Sequence, residues 1–483
     1  METNLHKKSK VGLIWDLGGS FTRQFVTFFI SIVLARLLSP AEFGTIAMAM
    51  VFVSITQVFI DVGFTQGLIQ KQDTKDITYS SIFYINLLIS LFFSGLIVLA
   101  APFIGDFYDQ EKVTNLLFLL AVIPPIAALG KVHSAILMKR LDLRSLNIRD
   151  VLATMLGGAV GVTAAYLDFG VYSLAFQQIT TVCMSTLLLW FSSKWKPKLE
   201  YSNDEVKGLL GFSSFVFFDD LMRQIFNRIE IVFIGKMFSP TILGFYTRAE
   251  SFSTQIKSYS TESLRKVMFP LFSALQHDEN KINTTYLRVF KLASSLNFFL
   301  VGGIYFISKE VIVGLMGVKW YQSVVFFKIL IFIALISPQV ALMDKLILAK
   351  GFAKVKFKMG VFQRFLKIVP LLIGYFYGIF YFSVSFTIST YIVFFAYMWL
   401  IYNKLNISIL DQLKSFFTPS ILLLVSIVAF EFLKPPYSGW YFAIAFTIIN
   451  FIYLKMIRNE GYYFLLGLLN KGKAVLFRKR SAT

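Results

Sequence analysis

Of the 483 residues, 56% are hydrophobic and only 15% are charged, well below the quarter or so expected of a soluble globular chain. That composition excludes a water-soluble domain and makes the bilayer the solvent. The 47 Lys and Arg against 27 Asp and Glu leave a net charge of +20, a balance that can serve nucleic acid, anionic lipid or topology; because the cations fall between long apolar runs, topology accounts for most of it and no nucleic-acid partner is expected.

Taken in chain order, the first apolar stretch follows Lys7, Lys8 and Lys10 as a signal peptide would, but it continues to Leu38 and contains Asp16 and Arg23. It therefore reads as a first spanning helix that is retained. At about 20 residues per span, the chain is expected to be an all-α polytopic membrane protein with fourteen spans, at 11–37, 43–67, 79–102, 114–138, 149–168, 171–192, 209–237, 241–270, 284–308, 323–350, 355–378, 380–402, 415–433 and 440–457. Pro124-Pro125, Pro338 and Pro370 are expected to kink or end helices, and Gly157/Gly161 and Gly374/Gly378 have the spacing of close helix packing. Cys183 is the single cysteine, so neither an intramolecular disulfide nor a thiolate metal site is available.

Cations near span ends are retained on the cytoplasmic side. One set of alternate loops holds clusters such as Lys139, Arg140, Arg144 and Arg149, or Lys350, Lys354, Lys356 and Lys358, while the other set holds only Arg36, Lys112, Lys236, Lys309, Lys319 and Lys434. Both termini are thus expected in the cytoplasm, with the tail cations Lys471, Lys473, Arg478, Lys479 and Arg480 able to meet anionic lipid head groups.

Adding 200 to the first span and the turn after it gives a repeat. Arg23-Gln24 falls on Arg223-Gln224, Ser39-Pro40 on Ser239-Pro240, Gly44 on Gly244, and Arg36 on Lys236. The offset covers six spans, an even number, so the copies run in the same direction as a parallel repeat. The expected organisation is a six-helix lobe over 1–198, a second over 199–404, and two extra helices with a basic tail over 405–483.

Charges inside spans carry the functional signal, since each costs about 2.5–3.5 kcal/mol at a helix centre while a Leu or Phe returns only about 0.3–0.6. The seventh span has Asp219, Asp220, Arg223, Arg228 and Glu230; the eighth has Arg248, Glu250, Lys257 and Glu262; the first has Asp16 and Arg23; the second has Asp61. These residues lie on polar stripes with helical spacing and must face protein or water. The expectation is a hydrated central cavity walled by spans 1, 2, 7 and 8. In it Arg23, Arg223, Arg228, Arg248 and Lys257 are candidate substrate-binding cations, while Asp16, Asp61, Asp219, Asp220, Glu230, Glu250 and Glu262 are candidate acidic or ion-coupling groups. Each arginine has two readings. It binds an anion, for which an always-ionised bidentate guanidinium is suited, or it pairs structurally, Arg23 with Asp16 or Asp61 and Arg223 and Arg228 with Asp219, Asp220 or Glu230. No phosphate loop or H-E-x-x-H motif occurs, the histidines are only His6, His133 and His277, and His133 reads as a hydrogen-bonded core residue. No enzymatic activity, metal or cofactor is expected.

The segments LLSPAEFGTIAMAM at 37–50, DVGFTQGLIQKQD at 61–73, MKRLDLRSL at 138–146 and DFGVYSLAFQQ at 168–178 resemble the polysaccharide transporter family of Wzx-type flippases. SPTILGFYTRAE at 239–250, FPLFSALQHDENK at 269–281 and KWYQSV at 319–324 extend the likeness, which is nearest to the colanic-acid and teichuronic-acid exporters. The resemblance implies a member of the multidrug/oligosaccharidyl-lipid/polysaccharide exporter superfamily in the cytoplasmic membrane. Its expected cargo is an undecaprenyl-diphosphate-linked oligosaccharide moved from the inner to the outer leaflet, with membrane lipids, polysaccharide polymerase and chain-length proteins as partners. A cation-coupled multidrug antiporter of the same superfamily and a membrane-embedded polymerase or glycosyltransferase are the alternatives.

Overall fold

A computed structural model describes residues 2–71, 73–433 and 439–456; the tail cations from Lys471 to Arg480 and Lys434 lie outside them. Among the described residues the chain is helical throughout and forms no strand. It divides into two compact units, one ending at Thr247 and one beginning at Arg248.

The first unit contains α1 (Glu2–Leu37), α2 (Pro40–Asp61), α3 (Phe64–Gln70), α4 (Asp76–Tyr108), α5 (Glu111–Leu120), α6 (Ile123–Lys139), α7 (Leu143–Tyr166), α8 (Val171–Ser193), α9 (Asn203–Met237) and the first turns of α10 (Pro240–Ala274). The second holds the rest of α10, α11 (Glu279–Phe306), α12 (Ser308–Met316), a 3-10 turn at Val318–Trp320, α13 (Ser323–Ala349), α14 (Ala353–Leu366), α15 (Ile368–Tyr377), α16 (Ile379–Leu405), α17 (Ile409–Leu433) and α18 (Gly439–Met456). Eleven segments among the described residues are long and apolar enough to cross a membrane. The protein is a multi-pass membrane protein. Of the fourteen expected spans, α9 and α10 fall outside those eleven, as their internal charges require, and the apolar part of α18 is too short.

Several expected spans are broken helices. Val62 and Gly63 take left-handed backbone angles (φ 43° and 73°) and split the second span into α2 and α3. Pro124 sits at the start of α6, where its missing N–H costs nothing, and α14 stops just before the turn that contains Pro370. Pro338, by contrast, lies inside α13 without ending it. The two glycine pairs also differ. A Cβ at Gly157 would collide with Thr181 and one at Gly161 would sit 2.7 Å from Gln177 Cβ, so this pair brings α7 and α8 together as its spacing predicts. Gly378 has open space around it and φ 92°, so that glycine serves the turn into α16 rather than helix packing.

His133 is a core residue. Its Nδ1 lies 2.6 Å from Ser193 Oγ, and its ring packs on Trp190 and Trp195 at 4.6 and 5.3 Å between centroids. Beside it, Phe64, Leu68, Ile82, Phe83 and Ile136 enclose Val206 and Leu209 of α9. At the head of that helix Ser202 Oγ accepts from Glu205 N, an N-cap. The Glu205 carboxylate then takes the Lys71 ammonium at 2.5 Å and the Thr78 hydroxyl at 2.8 Å. These two hydrogen bonds, Lys71 first, hold Glu205 below the ordinary carboxylate pKa.

Where the first unit reaches α10, the 200-residue repeat becomes a contact. Gly44 is pressed against the Pro240 carbonyl, and Gly244 is pressed against the Pro40 carbonyl. Residue i meeting j + 200 while i + 200 meets j is the reciprocity of a two-fold arrangement. A side chain at either glycine would occupy the position of the opposite carbonyl.

Two outcomes follow from this packing. Gly44→Ala and Gly244→Ala should each lower the unfolding free energy in detergent by about 1–3 kcal/mol through overpacking, and the double variant should be non-additive because the sites touch. Glu205 binds its proton more weakly folded than unfolded, so its contribution is present above the unfolded carboxylate pKa and is lost as pH falls through the lower folded value. A thermal-midpoint series from pH 6 down to 3 should therefore slope less steeply for Glu205→Gln than for the parent.

Candidate functional site

Arg23 of α1 is answered by α7. The two helices run in the same direction, Gly19 lying against Asn147 and Gly158 against Ile30. This register sets Arg23 Nη1 3.0 Å from Asp150 Oδ2, with the side chains 46% and 23% exposed. The same carboxylate also accepts from Arg149, whose Nε is 2.9 Å away. Two guanidiniums thus share one carboxylate, which among the described residues leaves one net positive charge. The partner of Arg23 is Asp150 and not Asp61, whose Oδ1 instead accepts from Thr65 N at 3.0 Å and Thr65 Oγ1 at 2.7 Å and so caps α3. The Asp16 side chain lies outside the described residues. Asp150 and Arg149 were missed from sequence because they stand in what reads as a loop cation cluster; that run holds two acids, and Asp142 caps α7 while Asp150 takes the arginines.

On α9, Arg223 pairs with Asp220 one turn earlier, and Gln224 donates to the Ser54 carbonyl of α2 at 3.3 Å. Asp219, Arg223 and Asn227 are exposed, and Glu230 is buried. Arg228 is half-buried, and its Nε is enclosed without a hydrogen-bond acceptor among the described residues. A desolvated guanidinium N–H with nothing to bond is costly, and an anionic ligand would supply the acceptor.

In the second unit, Arg248 and Glu250 are half-buried on α10 and Lys257 is exposed; the Glu262 side chain lies outside the described residues. Asp344 is engaged by Lys356 at 3.2 Å, and Lys367 lies over the Phe386 ring at 5.6 Å. Of the twelve residues singled out from sequence, the structure therefore joins Asp220 to Arg223, assigns Arg23 a different acid, and gives Asp61 a local role.

Residues 33–325, more than half of the chain, match the family described as polysaccharide biosynthesis protein. The chain belongs to this family. Similar members include the teichuronic acid biosynthesis protein TuaB of Bacillus subtilis, 23% identical over 303 residues that cover 62% of this chain and 63% of that protein. The succinoglycan biosynthesis transport protein ExoT of Rhizobium meliloti is 26% identical over 303 residues, covering 62% and 60%. The chain thus spans somewhat under two thirds of the length of these two relatives. The lipopolysaccharide biosynthesis protein WzxC of Escherichia coli is 20% identical over 344 residues, 71% of this chain and 70% of that one. Among solved structures, the lipid II flippase MurJ in an inward closed conformation superposes with a TM-score of 0.73 at 16% identity, over 94% of this chain and all of that one. An inward-facing multidrug resistance MATE transporter reaches 0.58 at 13% identity, over 83% and 95%. The chain therefore has the fold that those two structures share.

In this family member the shared carboxylate makes an asymmetric prediction. Arg23→Ala leaves Asp150 still paired with Arg149, whereas Asp150→Ala leaves two guanidiniums facing each other without an acid. Asp150→Ala should lower the thermal midpoint in detergent more than Arg23→Ala, and adding Arg149→Ala to it should recover part of the loss. Equal effects of the two single substitutions would count against the shared-carboxylate arrangement.

Proposed function

We propose that the chain is a flippase that carries polyprenyl-diphosphate-linked oligosaccharide units from the inner to the outer leaflet of the cytoplasmic membrane, for surface polysaccharide synthesis. The observation that carries this reading is the set of guanidiniums on long helices of a polysaccharide biosynthesis family member, Arg23 and Arg149 in segments apolar enough to span and Arg228 on the charged helix α9. Their tertiary pairing leaves excess positive charge at Arg23 and Arg149 and an unmet donor at Arg228. An oligosaccharide diphosphate is polar and anionic, and arginine binds its phosphate oxygens through two parallel hydrogen bonds. The names of TuaB, ExoT and WzxC place these relatives in the biosynthesis of teichuronic acid, the biosynthesis and transport of succinoglycan and the biosynthesis of lipopolysaccharide, which supports the same cargo class.

In this reading Arg23, Arg223, Arg228, Arg248 and Lys257 contact the diphosphate or the sugars. Asp61, Asp219, Asp220, Glu230 and Glu250, with Asp16 and Glu262, balance those cations or couple an ion. The two repeats, 1–198 and 199–404, rock to give alternating access, both termini are cytoplasmic, and polymerase and chain-length proteins receive the product. With the inside negative, each negative charge carried outward is favoured by about 2.3 kcal/mol per 100 mV.

The test is deletion of the gene followed by analysis of lipid-linked oligosaccharides in each leaflet. Accumulation of one oligosaccharide diphosphate on the inner face, relieved by the intact gene, is the expected result; unchanged lipid pools with altered drug tolerance would favour the multidrug antiporter instead. In complementation, Arg223→Ala should abolish export at normal protein abundance, and Arg223→Lys should rescue only in part because an ammonium lacks the fork. Full recovery in Arg223→Ala with Asp220→Ala would make Arg223 a structural partner only.

A further inference from the structure

The seam between α1 and α7 does not close along its whole length. Gly18 and Gly19 present no side chain, and with Thr22 they form one wall of a groove of about 470 Å³ whose other wall is Asn147, Ile148, Val151 and Leu152. The lining is almost wholly apolar. The groove is open on one side, and the surface beside it continues as exposed apolar residues, Phe25 and Phe29 along α1 and Met155 along α7. Its volume falls in the range of small-ligand sites and is roughly three times that of a cavity that holds one benzene ring, room for roughly three five-carbon isoprene units.

Apolar walls alone would not select an occupant, because bilayer tails are as apolar as the groove and there is no hydrophobic gain in exchanging one for the other. Selection has to come from the polar groups at its edge. Arg23 directly follows Thr22, and Arg149 and Asp150 stand between Ile148 and Val151. The cluster of two guanidiniums on one carboxylate, with Arg23 still 46% exposed, thus stands on the same turns of α1 and α7 as the walls of the groove, though not in its lining. A charged head that carries two phosphates beside a methyl-branched row of isoprene units matches this pairing of net positive charge and apolar slot better than a lipid with one phosphodiester.

We propose that the groove between α1 and α7 is a binding site for the head-proximal isoprene units of a polyprenyl diphosphate, with Arg23 and Arg149 on the diphosphate. This rests on the flippase reading and adds to it the place where the carrier lipid, as distinct from the sugar, is recognised. Transport then requires that the tail stay in lipid at this seam while the head group is handed on.

The inference is tested on the full-length purified protein by direct binding of geranylgeranyl diphosphate, with inorganic pyrophosphate and phosphatidylglycerol as comparison ligands. A Cβ at Gly18 meets nothing within 4 Å, so Gly18→Leu fills the groove without disturbing the seam. It should weaken geranylgeranyl diphosphate by about tenfold, on the order of 1.4 kcal/mol, and leave pyrophosphate unchanged. Leu152→Gln, at a position 42% exposed, makes the wall polar and should act in the same direction, so the question is answered even where one variant fails to fold. Arg23→Ala should weaken both phosphate ligands. Unchanged geranylgeranyl diphosphate binding in the groove variants, or displacement by phosphatidylglycerol at equal concentration, overturns the proposal and marks the groove as filled by ordinary lipid. Because binding is read without export, a protein that binds normally and yet does not export in cells would count against the flippase reading alone.

Discussion

An ionised side chain in the hydrocarbon of a bilayer has no solvent to turn to, and most features of this protein are answers to that constraint. Arg23 alone would cost about 2.5–3.5 kcal/mol at the centre of a span, and α1 meets the cost by lying along α7 with Asp150 in register. On α9, Asp220 and Arg223 answer each other within one helix. Gln224 reaches a backbone carbonyl of α2. Such pairs need close backbones, and close backbones need glycine: Gly19 and Gly158 let α1 and α7 approach, and Gly157 and Gly161 do so for α7 and α8.

The same constraint separates structural charge from available charge. Asp61 is fully engaged as a cap for α3, and Asp344 is engaged by Lys356. Each has a local partner that accounts for its place in the fold. Asp150, by contrast, is outnumbered by the two arginines on it, and Arg228 retains a buried donor. In the proposed reading, anion recognition follows from that imbalance rather than from the number of cations in the chain. It is also why the polar stripe on α9 and the cluster on α1 and α7 carry more functional weight than the far more numerous surface lysines.

Within the first unit, α9 is held at both ends by different physics. Near Asn203 the hold is polar and exchangeable, Glu205 with Lys71 and Thr78. At the turn into α10 it is steric, two glycines each seated on the opposite proline carbonyl. Ion pairs of this kind rearrange at small cost, whereas a backbone seat admits only whole-segment separation.

Much of the architecture was legible in the sequence because its causes are local or periodic. Twenty-residue apolar windows, the helix start at Pro124 and the 200-residue repeat each depend on residues near one another in the chain or at a constant offset. The polar stripes were legible for the same reason, since helical spacing alone exposes them. Periodicity, however, places Asp61 on a stripe whether it faces a cavity or caps the next helix, and it does not distinguish Gly378 at a turn from Gly161 at a seam. Only the tertiary structure chose the partner of Arg23, 127 residues away on α7, and opened the groove beside it. That choice is set by how two glycine-faced helices nest, which is a property of the packed pair and is present in neither helix alone.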